Sequence, residues 1–391
     1  MAKVKKDKEE GENVDSVQVA AQAFFKMNKD DIYTDVSEPY KVSTGVLALD
    51  SLLDGGICGG TQCRLLGPPT SGKSSEGLLI IKNFLETRPK SRGLVIPTEA
   101  RLTEKLQKRS GVKFVSHPDE WVNNTCLILP MNIYEKIANF LWTLVKTNEM
   151  RPKDDRENFI VMVDCMDYLS LGSESAKEFG DARKIAGPQY LTKMLWSKMA
   201  LPFNAGQHIF LAISQQSAAP KIDPYAKDPL RQGGSSGGTN IQYQASTVLD
   251  FCTRYEGDYI LEDPDSKYDP KKNNKIGHVI KGFIRKSDNE KYDVKFEYAV
   301  KYGANSGNSI WKSREVAEGL LMMGYVTRDK NTLIFSDEII KEAGEIKLDI
   351  KKEMVGEKKY YNYLENNTEI CDFLYKKLKS IFDSSGKSES F

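Results

Sequence analysis

The sequence predicts an α/β fold built on a mainly parallel, twisted sheet with helices on both faces. Three observations carry this. Short apolar runs such as Phe159-Ile160-Val161-Met162-Val163 alternate with stretches of helical apolar spacing. A strand buried on both faces has no polar side to alternate, and joining it to a parallel neighbour takes a helix. Gly67 to Ser74 reads G-P-P-T-S-G-K-S and fills every fixed position of the strand–loop–helix phosphate-binding pattern. A chain of 391 residues also has room for one large domain of this kind with smaller appendages.

Residues 1–14 are charged and lack apolar spacing, so disorder is expected there. Asp15 or Ser16 suits the cap of a helix reaching about Asn28, with Val17, Ala20, Ala21, Phe24 and Met27 on one face. An extended linker through Pro39 follows, so 15–42 reads as a tethered amphipathic helix. Its stripe has two possible seats, its own domain or a neighbouring subunit.

The core is expected over 43–305. Cys63–Leu66 reads as a strand and Ser75–Leu85 as a helix. Then come Gly93–Pro97 (strand), Leu102–Arg109 (helix), Thr125–Leu129 (strand) and Ile133–Val145 (helix). Phe159–Val163 (strand), Tyr190–Ala200 (helix) and Ile209–Ile213 (strand) complete the alternation. From Thr247 the strands lengthen, and His278–Lys286 with Tyr292–Val300 flank S-D-N-E as an antiparallel hairpin. Residues 306–383 are expected to be a small helical region: Ser313–Met323, Asp337–Ala343, and Tyr360–Phe382 broken at Asn366–Asn367. A tail over 384–391 ends the chain.

Chemistry concentrates at the strand ends. In the loop Gly67-Pro68-Pro69-Thr70-Ser71-Gly72-Lys73-Ser74, backbone N–H groups wrap phosphate oxygens at a helix N-terminus that Ser75 continues. Lys73 is placed to reach the β- and γ-phosphates, and the Ser74 hydroxyl to ligate Mg²⁺. Asp164 ends the all-apolar strand, where a phosphate-loop enzyme needs its second magnesium contact; the alternative is an ordinary strand-end acid. Glu99 follows the Gly93–Pro97 strand and is the candidate general base, or else an acid favoured by the next helix dipole. Glu104 competes with it but falls within that helix. Ser214, Gln215 and Gln216 end another buried strand, and Gln215 offers an uncharged amide to a γ-phosphate.

Behind them, Ser217–Asn240 is a long glycine-rich loop carrying Lys221, Lys227, Arg231, Gly233, Gly234, Gly237 and Gly238. That composition suits a nucleic-acid backbone or a mobile linker. Leu171–Gln189 is a second loop, with Lys177, Arg183 and Lys184 set among acids.

A net charge of +1 gives no global basic field, so any nucleic-acid surface must be local. The six cysteines form no C-x-x-C pair and the three histidines are scattered, which argues for reduced thiols, a cytoplasmic setting and no zinc site. No stretch approaches a membrane span.

Taken in order, these motifs resemble a family. Ser43-Thr44-Gly45-Val46-Leu47-Ala48-Leu49-Asp50, Gly55-Gly56-Ile57 and the phosphate loop are similar to the opening of the RecA recombinase core. P-T-E-A-R with Glu99, R-S-G-V, V-D-C-M-D-Y-L with Asp164, I-S-Q-Q and G-G-T-N-I-Q-Y-Q-A-S-T-V-L-D-F follow in the family's order. The N-terminal A-A-Q-A-F-F with its linker is most similar to the UvsX recombinases of T-even-type phages. The likeness runs from about Asp15 to Met323.

The resemblance implies a RecA-like ATPase core using ATP and Mg²⁺. It implies a DNA-dependent ATPase that forms helical filaments on single-stranded DNA, through a polymerisation helix within 15–42, and pairs that strand with homologous duplex. Mediator and single-strand-binding proteins become possible partners, in a bacterial host's cytoplasm, for recombination, repair and recombination-dependent replication.

Residue by residue, the resemblance gives Lys73 and Ser74 the phosphate and magnesium roles. Asp164 takes the second magnesium role, Glu99 that of the base, and Gln215 that of the γ-phosphate sensor. The two loops become the DNA-binding loops, and Arg285 and Lys286 match the region reaching the neighbouring subunit's ATP. Leu106 stands where bacterial relatives stack an aromatic on adenine. A RecA-fold ring helicase and a non-hydrolysing mediator paralogue share parts of this pattern. The helicase usually carries a large helical N-terminal domain, and intact Lys73, Glu99 and Asp164 argue against the mediator.

Overall fold

The computed structural model describes residues 16–28, 32–33, 36–99, 101–175, 187–215, 244–263, 267–269 and 271–385. The chain divides into a short unit ending at Val36 and a large one from Ser37. In the short unit, α1 (Ser16–Met27) is a helix with the expected apolar stripe. Asn28 closes it by donating its N–H and its side-chain amide to the Phe24 carbonyl, at 3.1 and 2.9 Å.

The large unit opens with β1 (Lys41–Val42), α2 (Leu47–Leu52) and β2 (Ile57–Cys58), the two strands pairing antiparallel. The S-T-G-V-L-A-L-D segment folds on its own acid. Asp50 Oδ1 accepts from the Thr44 N–H at 2.7 Å and the Thr44 hydroxyl at 2.8 Å, while Oδ2 accepts from Ser43.

The central sheet has ten strands among the described residues. They are β3 (Gln62–Gly67), β4 (Ser91–Pro97), β5 (Phe114–Val115), β6 (Cys126–Ile128), β7 (Asn158–Asp164), β8 (Ile209–Gln215), β9 (Thr247–Phe251), β10 (Tyr259–Leu261), β11 (Lys275–Lys286) and β12 (Val294–Lys301). Their order is β10-β11-β9-β3-β8-β7-β4-β6-β5, with β12 also on β11. From β9 to β5 every pairing is parallel, and β11 pairs antiparallel with β9, β10 and β12. The hairpin read from S-D-N-E is therefore present.

The helices α3 (Lys73–Thr87), α4 (Glu104–Ser110), α5 (Tyr134–Glu149), α6 (Gly172–Ser175) and α7 (Gly187–Ala205) fall between these strands in the chain. Thr103 caps α4 through its side chain and Gly111, at φ 76°, ends it. Helix α7 runs five residues past the expected Ala200, through Pro202 to Ala205. The unbroken apolar run of β7 is explained by packing on both faces. Ile160 and Met162 join the cluster that holds Leu78 and Ile81 of α3. Val161 and Val163 join the one that holds Leu141 of α5 and Trp196 and Phe203 of α7.

The C-terminal region differs from expectation. Its helices are α8 (Lys312–Met322), α9 (Asp337–Glu345), α10 (Glu357–Asn366) and α11 (Thr368–Ser385), and the break at Asn366–Asn367 is there. Between them lies a three-stranded antiparallel sheet of β13 (Val326–Asp329), β14 (Thr332–Phe335) and β15 (Glu353–Val355). The region is mixed rather than helical because Leu333 and Phe335 of β14 complete a core with Val316, Leu320, Ile339, Tyr360 and Leu374. That core includes Leu47 of α2, and Glu315 accepts the Leu47 N–H at 3.0 Å, so the region packs directly on the phosphate-loop domain.

Candidate active site

The phosphate loop joins β3 to α3, and backbone geometry fixes its shape. Gly67 has φ 148°, and a Cβ there would meet the Phe251 carbonyl oxygen at 2.5 Å. Gly72 has φ 109°, and a Cβ would stand 2.7 Å from Ile280. Neither position tolerates a side chain. Lys73 turns back into the loop and donates to the carbonyls of Gly67 at 2.8 Å and Pro68 at 2.6 Å. Burial pulls its ammonium below the usual lysine range, and neighbouring acids, Asp164 and Glu99 among them, oppose the fall. The loop's amides and the positive end of the 15-residue α3 face the same space.

Two strands deliver the carboxylates together. The Thr98 N–H donates to the Asp164 carbonyl at 2.8 Å. The Thr98 hydroxyl donates to the Cys165 carbonyl and accepts the Cys165 N–H, both at 2.7 Å. These bonds tie the ends of β4 and β7, so Glu99 and Asp164 emerge side by side. Asp164 accepts from Ser74; burial pushes its carboxyl above the usual range, that hydrogen bond opposes the rise, and Glu99 adds to it. Glu99 Oε1 accepts the Gln215 side-chain amide at 2.7 Å, and Oε2 pairs with Arg101 at 2.8 Å. Glu104 is exposed on α4, away from this group.

Pro69, Thr70, Ser71, Gly72, Lys73, Ser74, Ser75, Glu99, Asp164 and Gln215 all line one cavity of about 500 Å³. Gly67 and Pro68 contribute as the carbonyls that hold Lys73. The cradle formed at the two glycines, the inward lysine and the Ser74–Asp164 pair fit a nucleoside triphosphate carrying a magnesium ion.

Other residues reach this cavity that sequence reasoning missed. Arg254, just past β9, donates to the Thr70 carbonyl at 3.0 Å and lies 2.7 Å from His278 Nε2. Arginine only donates, so His278 Nε2 accepts and the proton of the neutral ring sits on Nδ1. Burial, reinforced by the charges of Arg254 and Arg109, pushes His278 down to about 4, so the ring is neutral at neutral pH. Arg109 also donates to Ser75 Oγ at 2.8 Å, fastening α4 to the first turn of α3. Leu106, the residue in the adenine-stacking position, does not line the cavity. It packs against the core beneath α4, while Arg101, Lys105 and Arg109 face the opening. A leucine at that helical position is drawn to the apolar interface, in keeping with its departure from the family's aromatic.

Arg285 and Lys286 do not line this cavity either. The strand register sets Lys286 opposite Val248, level with Arg64 in the body of β3 and short of the chain's own loop. Arg285 is held by Asp250 at 2.9 Å and by Asp293. The expected DNA-contacting residues Lys177, Arg183, Lys184, Lys221, Lys227, Arg231, Gly233, Gly234, Gly237 and Gly238 lie outside the described residues, as does Gln216.

Comparison with known proteins bears on the class. Over 229 residues, 56% of this chain and 83% of the relative, the sequence is 25% identical to a DNA repair and recombination protein RadB from Methanobrevibacter smithii. It is 26% identical over 221 residues, again 56% and 83%, to a protein of the same name from Methanosphaera stadtmanae. No protein-family model matches the chain. This is weak homology to a RecA-family recombinase over about half the chain, and it supports the RecA family without supporting the phage type. No helix among the described residues is long and apolar enough to cross a membrane.

Proposed function

We propose that the chain is an ATP-dependent DNA recombinase. In this reading it assembles as a helical filament on single-stranded DNA, pairs that strand with homologous duplex, and hydrolyses ATP between subunits. The observation that carries the reading is the hydrogen bond between Gln215 and Glu99, which joins a sensing amide to a catalytic carboxylate at the mouth of a phosphate loop. The weak homology to recombination proteins supports the class.

Each residue then has a task. Loop amides and Lys73 bind and orient the phosphates. Ser74 and Asp164 would hold a magnesium ion, which would supply positive charge to offset the negative charge of the phosphates. Glu99 orients a water and takes its proton, and Gln215 reports the γ-phosphate to the segment that follows it. Arg285 and Lys286, remote from the chain's own cavity, would serve the ATP of an adjacent subunit. The segments 171–189 and 217–240 are the proposed DNA loops, and 15–42 the proposed polymerisation element. The A-A-Q-A-F-F segment carries the phage-type affinity within this proposal.

ATP turnover measured with and without single-stranded DNA tests the reading, with Glu99→Gln beside the wild type. DNA-stimulated hydrolysis that disappears in the variant, with DNA binding retained, is the expected result. Turnover surviving in Glu99→Gln removes the base assignment, and turnover indifferent to DNA removes the class.

A further inference from the structure

Arg64 is a fully buried arginine in the middle of the central strand β3. Nothing in the phosphate-loop chemistry calls for a cation there, within the strand that leads into the loop. Its surroundings are specific. In the parallel register, Leu66 lies level with Ser214 on one side and Asp250 on the other, two residues along the same face from Arg64. Arg64 Nε donates to Ser214 Oγ at 3.3 Å. The carboxylates of Asp167 and Asp250 offset the burial that pulls the guanidinium down to about 10, so it stays charged at neutral pH.

Each partner is itself the root of a functional segment. Asp167, in the turn after β7, accepts the Gln215 backbone N–H at 2.6 Å and the Cys165 thiol at 2.7 Å. It thus grips the residue that reaches Glu99 and stands just before the first proposed DNA loop. Ser214 immediately precedes Gln215 and the second proposed DNA loop. Asp250, where the chain has returned from that loop, holds Arg285 at 2.9 Å. One buried cation therefore borders the roots of both proposed loops, the sensing amide, and the acid that positions the proposed inter-subunit cation.

We infer that Arg64 is a positioning residue that couples the γ-phosphate-sensing end of the site to the DNA-loop roots. The inference rests on the recombinase reading above. A guanidinium serves because its rigid fork aims Nε at Ser214 in a fixed direction while its charge is spread near two carboxylates, whereas an ammonium presents a point charge with no such geometry. Movement of Gln215 against its γ-phosphate moves Ser214, its neighbour in β8, against Arg64, while the guanidinium's charge acts on Asp167, which holds the Gln215 N–H. Arg64 touches no reacting atom, so its loss acts on communication between sites and spares the chemistry.

The test compares wild type and Arg64→Lys, which keeps the charge and loses the fork. Three quantities are measured: affinity for a fluorescent ATP analogue, turnover without DNA, and turnover with saturating single-stranded DNA. Expected are analogue affinity and DNA-free turnover within about threefold of wild type, and DNA stimulation reduced at least about fivefold, the usual scale of inter-site coupling. Stimulation equal to wild type overturns the inference while leaving the recombinase reading intact. Wild-type protein with no DNA stimulation overturns both. Should Arg64→Lys fail to fold, Ser214→Ala removes only the hydrogen bond the guanidinium makes to β8. Reduced stimulation in that variant supports the coupling, and unchanged stimulation contradicts it.

Discussion

The Gln215 side-chain amide donates to the Glu99 carboxylate at 2.7 Å, joining the ends of β8 and β4 although 116 residues separate them. Arg101 occupies the other carboxylate oxygen. Glu99 is therefore held from two sides with its side chain almost wholly buried, as a group that must meet a water in one orientation requires. Replacing Glu99 with Gln keeps the shape and removes the proposed base. Turnover should fall by about 10²- to 10⁴-fold, read by phosphate release, with ATP-analogue affinity close to wild type. Equal turnover would show that another group takes the proton.

Lys73 makes two charge-assisted hydrogen bonds to loop carbonyls and would exchange them for phosphate oxygens. Lys73→Ala should weaken binding of a fluorescent ATP analogue by about 10- to 100-fold, the scale of losing such contacts. Unchanged affinity would take the loop out of nucleotide binding.

Thr98 is not among the residues lining the phosphate-loop cavity but sets the spacing of Glu99 and Asp164 through its bonds to residues 164 and 165. Thr98→Val has nearly the same shape without the hydroxyl. We expect kcat to drop about tenfold as the carboxylates lose register, while ATP affinity is preserved. A variant with wild-type kcat would mean that the strands alone hold that spacing.

Buried acids give a pH dependence of known sign. Glu76 is fully buried beneath the loop and accepts from Tyr298 at 2.7 Å, and burial pushes its carboxyl up to about 8. Asp50 moves the same way, to about 6. A raised folded-state value means the native protein binds protons that the unfolded chain has released, so their contribution falls as pH rises from about 4 to about 8 and is flat beyond. Glu76→Gln should flatten that fall, with a Tm above wild type by about 2–4 °C near pH 8 and little difference near pH 5. Melting curves that stay parallel across the range would contradict the assignment.

What the sequence disclosed follows the distance over which each feature is written. The phosphate loop, Asp164 and Gln215 are set by contiguous residues and by strand ends, so they were legible. Arg254 and His278 were not, because the antiparallel pairing of β11 brings them to the cavity from segments with no motif of their own. That Leu106 lies beneath α4 was not legible, because sequence position gives a place on the helix, whereas packing decides which side faces the core. The C-terminal sheet was missed because β13 and β14 are four residues each and Thr327, Arg328 and Asp329 are solvent-facing, so little apolar alternation remained. The two-residue turn at Lys330–Asn331, between Val326-Thr327 and Thr332-Leu333-Ile334, was the available signal.

Nucleotide-dependent assembly on single-stranded DNA is read out by electron microscopy of the protein with that DNA and a slowly hydrolysed ATP analogue. Wild type should form open helical filaments, absent without nucleotide and absent for Lys73→Ala. Closed rings, or bare DNA beside dispersed protein, would contradict the recombinase reading.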